Sequence, residues 1–207
     1  MEHWQQFETF AHPGIVHGFS GRWEGVAHGE VAARLEAALG ELGVRADQTA
    51  IGEQPHGNRV ARVETPSRQP VPEVDALVTD QPGLALIVRV ADCGPVFFHD
   101  PVRGAIGVAH SGRKGTEANI TGETVAALRA HFGCDPANLR VQLGPCIRPP
   151  HYEVAFADEI GRQARAAGVR DYADCGVCTG ANLDRYYSYR REKGQTGRMW
   201  GVLMLKR

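Results

Sequence analysis

An α+β fold, with mixed β-sheets flanked by helices, is the class this sequence predicts. Three observations carry it. Short apolar runs with strand character recur along the whole chain, and four of them follow one another between residues 75 and 110. Segments with helical periodicity are fewer and do not alternate regularly with the strands, which argues against a doubly wound α/β arrangement. The 207 residues are enough to bury a core without cross-links and show no linker, repeat or low-complexity tract, so residues 1–207 read as one domain.

The first element is GIVHGFS (14–20), a strand leading into a Gly-rich turn through Gly25. From Glu30 to Leu42, the residues Val31, Leu35, Ala38, Leu39 and Leu42 recur at helical spacing, and Gly40 and Gly43 close the helix. TAIGEQ and RVARVE read as two strands joined across Pro55-His56-Gly57-Asn58, a turn by composition. After a Pro-rich loop come DALVT, LALIVRV, PVFF and AIGVAH, whose unbroken apolar character points to strands buried on both faces. HSGRKGTEANI bends into a helix from Glu117 to Phe132, stopped by Gly133. LRVQLG is a further strand, PCIRPPHYEV a loop, and Glu153 to Ala167 a helix. DYADCGVCTGAN reads as loop, and RMWGVLMLK as the last strand.

A net charge of −1 with interspersed charges supplies no field to draw nucleic acid or an anionic membrane. No apolar run approaches the length of a membrane span. The polar start, MEHWQQFETF, lacks the regions of a secretory signal, and five cysteines, an odd number, do not read as a disulfide framework. A cytoplasmic protein with reduced thiols is the expectation.

Three polar residues stand at ends of strand-like runs beside small turn residues: His56 in PHGN, Cys93 in ADCGP and His110 in AHSG. Strand ends can hold functional side chains at a common point. Two imidazoles and a thiolate suit Zn²⁺ and leave a fourth position for water, whose pKa the metal lowers from 15.7 to about 7. By spacing alone, Cys93 is open to three readings, as a small core residue, a nucleophile or a ligand. Cys175-Gly176-Val177-Cys178 has the spacing of a redox dithiol or half a zinc site, but no second pair answers it. His28-Gly29-Glu30 matches half of a zinc deaminase signature, yet Pro145-Cys146 is followed by Ile-Arg-Pro, so the second half fails. The bend His110–Gly115 carries Arg113 and Lys114, and SYRREKGQTGR adds Arg190, Arg191 and Arg198; each stretch suits an anion or a solvated surface.

Taken in order, HGNRV, DALVTDQPGLALIVRVADCGPVFFHDP, GAIGVAHSGRKGT, LGPCIRPPHYEV and SYRREKGQTGRM resemble the YfiH family. That family is also called the laccase-domain, multicopper polyphenol oxidase or peptidoglycan editing factor family, and the likeness runs from about Val16 to the C-terminus. The family's metal-binding, catalytic trio falls on His56, Cys93 and His110. The resemblance implies a YfiH-like α+β domain and a zinc-dependent enzyme of purine nucleosides and phosphate. Such an enzyme phosphorolyses adenosine, inosine, guanosine or methylthioadenosine and deaminates adenosine. Arg59, Lys114 and Arg190 are candidate substrate contacts.

The chain departs from the family's H-A-G-W-R-G, which here is HSGRKG with Arg113 at the Trp position. The family's D-L-x-x-x-N-x-x-Q-L helix has no clear match between YEV and GVCT. Rival readings are a cysteine- or metal-dependent hydrolase editing peptidoglycan precursors, a copper-dependent phenol oxidase and a non-catalytic binding module.

Overall fold

The apolar runs assemble two β-sheets. One has five strands, in the spatial order β1 (Trp4–Gln5), β2 (Ile15–Ser20), β11 (Met199–Leu205), β6 (Ala85–Val90) and β3 (Thr49–Ile51). The other has six, in the order β10 (Asp171–Asp174), β9 (Arg140–Leu143), β7 (Gly94–Asp100), β8 (Ala105–Ser111), β5 (Ala76–Thr79) and β4 (Val60–Arg62). Both are mixed: β3 with β6, β4 with β5 and β9 with β10 run parallel, and the other neighbours run antiparallel. This computed structural model describes residues 4–23 and 31–207; the Gly25 turn and the His28-Gly29-Glu30 motif lie outside the described residues.

Four layers result, and alternation along the strands explains why the runs are apolar throughout. In β6, Leu86 and Val88 join Phe97, Ile106 and Val108 between the two sheets, while Ala85 and Ile87 pack with Leu39 of helix α1 (Val31–Glu41). In β7, Phe97 points between the sheets, while Val96 and Phe98 meet Ile120, Leu128 and Ile160 on the opposite face. Those last residues belong to helices α3 (Ile120–Phe132) and α4 (Phe156–Ala166). Each such buried Leu, Ile, Val or Phe side chain contributes on the order of 1.5–3 kcal/mol relative to exposure. The sheets approach closely at Gly201 of β11, where a Cβ would lie 2.6 Å from the Phe97 ring.

Several expectations change. The helix expected from Glu117 to Phe132 is two: a short α2 (Arg113–Glu117), then α3, separated by Asn119 in the left-handed region at φ 62°. Asn tolerates that conformation. DYAD is the strand β10, parallel to β9, and its polarity hid it because it is an exposed edge. Pro55-His56-Gly57-Asn58 does not close a hairpin: β3 pairs with β6 and β4 with β5, so the loop carries the chain from one sheet to the other. Ala91–Cys93 makes the same crossing between β6 and β7. Among the described residues no helix is long and apolar enough to cross a membrane.

Candidate functional site

The two inter-sheet crossings that carry His56 and Cys93 require backbone that non-glycine residues rarely adopt. Gln54, His56 and Asp92 have φ of 65°, 72° and 86°. Such conformations persist where the surroundings over-determine them, and two buried carboxylates do so here. Asp75, just before β5, accepts the backbone N–H of His56 on Oδ1 at 2.9 Å and that of Gly57 on Oδ2 at 2.7 Å. Asp92 accepts the Thr179 hydroxyl at 2.7 Å, the Ser188 hydroxyl at 3.0 Å and the Arg190 N–H at 2.7 Å. Its carbonyl accepts the Ile147 N–H at 2.8 Å.

The crossings deliver His56 and Cys93 to the end of β8, where His110 is buried. One ligand atom from each of the three residues lies within 4.8 Å of the others, close enough for one cation to touch all three. Among the described residues no other group of His, Cys, Asp or Glu meets that condition. The two imidazoles stand edge to face, with centroids 4.7 Å apart. Gly112 makes room for the thiol, because a Cβ there would lie 2.5 Å from Cys93 Sγ. Exposure falls across the set: His56 is open to solvent, Cys93 half-buried and His110 enclosed.

Asp75 also orients the trio. Its Oδ1 lies 2.9 Å from His110 Nδ1, so a proton on Nδ1 leaves Nε2 with a free lone pair. One carboxylate with no exposed side-chain surface thus fixes both the His56 loop and the His110 ring. Burial pushes the Cys93 thiol up, but hydrogen bonds and charge from His110 and His56 together outweigh it and hold the thiol at about 6. Burial likewise pushes His110 down, and Asp75 and Cys93 together raise it to about 9. With no cation bound, the Cys93–His110–Asp75 row therefore favours a thiolate beside an imidazolium, whose Nε2 proton a bound cation would displace.

The other expected contacts are less concentrated. Arg59 is exposed and pairs with Glu73 at 2.6 Å, although its carbonyl caps the strand start at Asp75 and Ala76. Arg190 donates its backbone N–H to Asp92, while its guanidinium pairs with Glu153 and lies over the Tyr152 ring. Lys114 is exposed on α2 and its ammonium has no hydrogen bond or ion pair among the described residues. Arg113, at the Trp position of the family motif, pairs with Glu117. The sequence reading missed Asp75, Asp92 and Gly112. Their available signals were a carboxylate opening the apolar strand ALVT, another before Cys93, and a glycine two residues after His110.

Comparison with known proteins agrees with this architecture. The profile of the family described as multi-copper polyphenol oxidoreductase laccase matches residues 21–160 and 156–206. A Streptomyces coelicolor protein named as a purine nucleoside phosphorylase is 35% identical, over 93% of this chain and 96% of its own. One of the same name from Deinococcus radiodurans is 36% identical, over 86% of this chain and 77% of its own. In fold, the crystal structure of YlmD from Geobacillus stearothermophilus superposes with a TM-score of 0.88 at 23% identity, covering 99% of both chains. Bacillus licheniformis YfiH gives 0.84 at 23% identity, covering 93% of each. With the profile matching across both sheets and two relatives above 30% identity over most of the chain, this protein belongs to the laccase-domain, or YfiH, family.

Proposed function

We propose that this chain is a zinc-dependent purine nucleoside phosphorylase, with His56, Cys93 and His110 as the metal ligands. The observation that carries it is the convergence of those three ligand atoms within 4.8 Å, over the Asp75 carboxylate that orients His110. Two imidazoles and a thiolate are a donor set that zinc prefers, and three protein ligands leave one position open. Copper is a second metal such donors accept. Relatives bearing the phosphorylase name support the reaction class. A bound zinc ion would supply Lewis acidity and lower the pKa of water in the open position.

The chain's own residues would do the rest. Asp75 holds a proton on His110 Nδ1 and the His56 loop in its left-handed turn, so the ring and the loop are already oriented before metal or substrate arrives. His56, exposed, forms the side of the trio that a nucleoside would meet. In phosphorolysis a phosphate oxygen bonds to C1′ of the ribose as the bond to the purine nitrogen breaks, and the departing purine takes up a proton. Lys114, uncommitted on α2 two residues beyond Gly112, is the cation best placed to receive phosphate. Arg59 and Arg190 would have to exchange Glu73 and Glu153 for substrate oxygens. Phosphorolysis of adenosine, inosine, guanosine and methylthioadenosine, deamination of adenosine, and a reducing cytoplasmic setting belong to this reading.

One observation favours a second reading. A depressed thiol, an imidazole and a carboxylate in a row are also the parts of a thiol hydrolase, with Cys93 as nucleophile and His110 as base. Editing of a peptidoglycan precursor would fall in that class. Alkylation separates the two. If Cys93 is a zinc ligand, iodoacetamide should spare it in untreated protein, attack it after chelation and spare it again once zinc is restored. Release of free purine from nucleosides, dependent on phosphate, should vanish and return with the metal. Rapid alkylation of Cys93 in zinc-loaded protein, with activity lost regardless of chelator, would overturn the metal reading.

A further inference from the structure

The C-x-x-C spacing couples Cys175 to Cys178 in sequence, but the fold turns them to different cores. Cys175 packs against the cluster between the two sheets, with Phe7 and Phe97. Cys178 packs against the helix-side cluster, which contains the fully buried Cys146. Cys146 and Cys178 are, moreover, direct partners in a parallel β-bridge. The Cys146 N–H donates to the Val177 carbonyl at 3.2 Å, and the Thr179 N–H donates to the Cys146 carbonyl at 3.1 Å.

A slip in register creates this pairing. The β9–β10 ladder ends with Leu143 opposite Asp174, and the next pair is Cys146 opposite Cys178. One strand therefore advances four positions while the other advances three. Gly176, at φ 70°, lies within the longer segment and supplies backbone that other residues rarely adopt. Without the extra residue Val177 would face Cys146. Paired residues carry their side chains on one face, and the usual strand spacing of about 4.8 Å lies inside the Cα separation of about 4.4–6.8 Å that a disulfide spans.

We propose that Cys146 and Cys178 are a site of reversible oxidative modification, forming a disulfide when the protein meets a low-molecular-weight disulfide. Cys178, half-buried, is the entry thiol. Its thiolate attacks one sulfur of the oxidant, breaking that S–S bond, expelling one thiolate and leaving a mixed disulfide on Cys178. Cys146 then attacks Cys178 Sγ and expels the second thiolate. The two cysteines lose two electrons and two protons; the oxidant gains both and leaves as two thiols. Burial pushes the Cys146 thiol up, so the second step is the slow one.

The position of this bond bears on the trio. Ile147, next to Cys146, donates its N–H to the Asp92 carbonyl, and Thr179, next to Cys178, donates its hydroxyl to the Asp92 carboxylate. A bond between the two cysteines would tie together the two segments that hold Asp92, whose neighbour is Cys93. The crosslink itself does not depend on what the trio binds.

Incubation of the purified protein with oxidised glutathione until its mass is constant, followed by peptide mapping without reductant, tests this. The expected product has, whatever the state of Cys93, one crosslinked peptide pair holding Cys146 and Cys178 and full reversal by dithiothreitol. Cys175→Ser should form the same crosslink, and Cys178→Ser should form none. Amide exchange across 146–148 and 177–179 should slow in the oxidised protein. A Cys175–Cys178 bond, glutathione retained on Cys178 without a crosslink, or thiols left unmodified would overturn the site. Unchanged exchange in crosslinked protein would overturn the bracing of Asp92.

Discussion

Two groups of cysteine chemistry sit on either side of Asp92, and they differ in what surrounds the sulfur. Cys93 lies against two imidazoles, one of them backed by a carboxylate, and its thiol is held down at about 6. Cys146 and Cys175 lie among apolar side chains, and burial pushes both thiols up. The C-x-x-C group is compact in sequence, whereas His56, Cys93 and His110 span more than fifty residues. Yet the dispersed residues bring three ligand atoms together and the compact ones face different cores. Spacing in sequence reports coordination only where the intervening backbone is local. Here three crossings between sheets intervene, from β3 to β4, from β5 to β6 and from β6 to β7.

Deleting one sulfur on each side of Asp92 should have unequal consequences. Cys93→Ala should reduce bound zinc from close to one per chain to near none, while Cys178→Ser leaves it unchanged, both read by elemental analysis of folded protein. Equal metal content in the two variants would erase the distinction.

A smaller effect should follow from the residue that organises the trio. Asp75→Asn keeps the size of the side chain but replaces one acceptor oxygen with an amide N–H₂, which must face the backbone N–H of either His56 or Gly57. Outer partners of metal-binding histidines are worth roughly 10–100-fold in affinity, so competition with a chromogenic chelator should show a loss of that order. A change within twofold would mean that the His110 ring is held by packing alone.

The thiols should also separate by pH. In chelated protein Cys93 should alkylate at a steady rate above pH 7 and lose about tenfold per unit once pH falls below about 6, as the thiolate is protonated. Cys175, pushed above its ordinary value by burial, should still be gaining rate at pH 9. Parallel pH profiles for the two would contradict the electrostatic contrast.

The smallest expected effect concerns the bend beyond His110. Lys114→Ala should raise the KM for phosphate several-fold and leave that for nucleoside nearly unchanged, because a single exposed ammonium contributes a modest charge-assisted contact. Equal changes in both constants would place Lys114 on solvated surface.

Much of the fold is legible in the residues. The unbroken runs LALIVRV, PVFF and AIGVAH announce strands covered on both faces, and the layers on either side of β6, β7 and β8 bear that out. Gly133, at φ 66°, stops α3 as a left-handed cap. What stays hidden is partnership. Composition marks Pro55–Asn58 as a turn but cannot say that its flanking strands join different sheets. DYAD carries no apolar alternation, and only hydrogen bonding to β9 makes it a strand.

The same division runs through the site. Strand ends and turns are local properties of composition, so the residues alone single out His56, Cys93 and His110, each at the end of a strand-like run beside small turn residues. Folding in three dimensions sets one buried carboxylate, Asp75, against both histidines and requires Gly112 to lack a side chain under Cys93. It also sets Cys146 and not Cys175 opposite Cys178. Those facts depend on register and on the packing of one sheet against another, which are set by contacts between residues far apart in the chain.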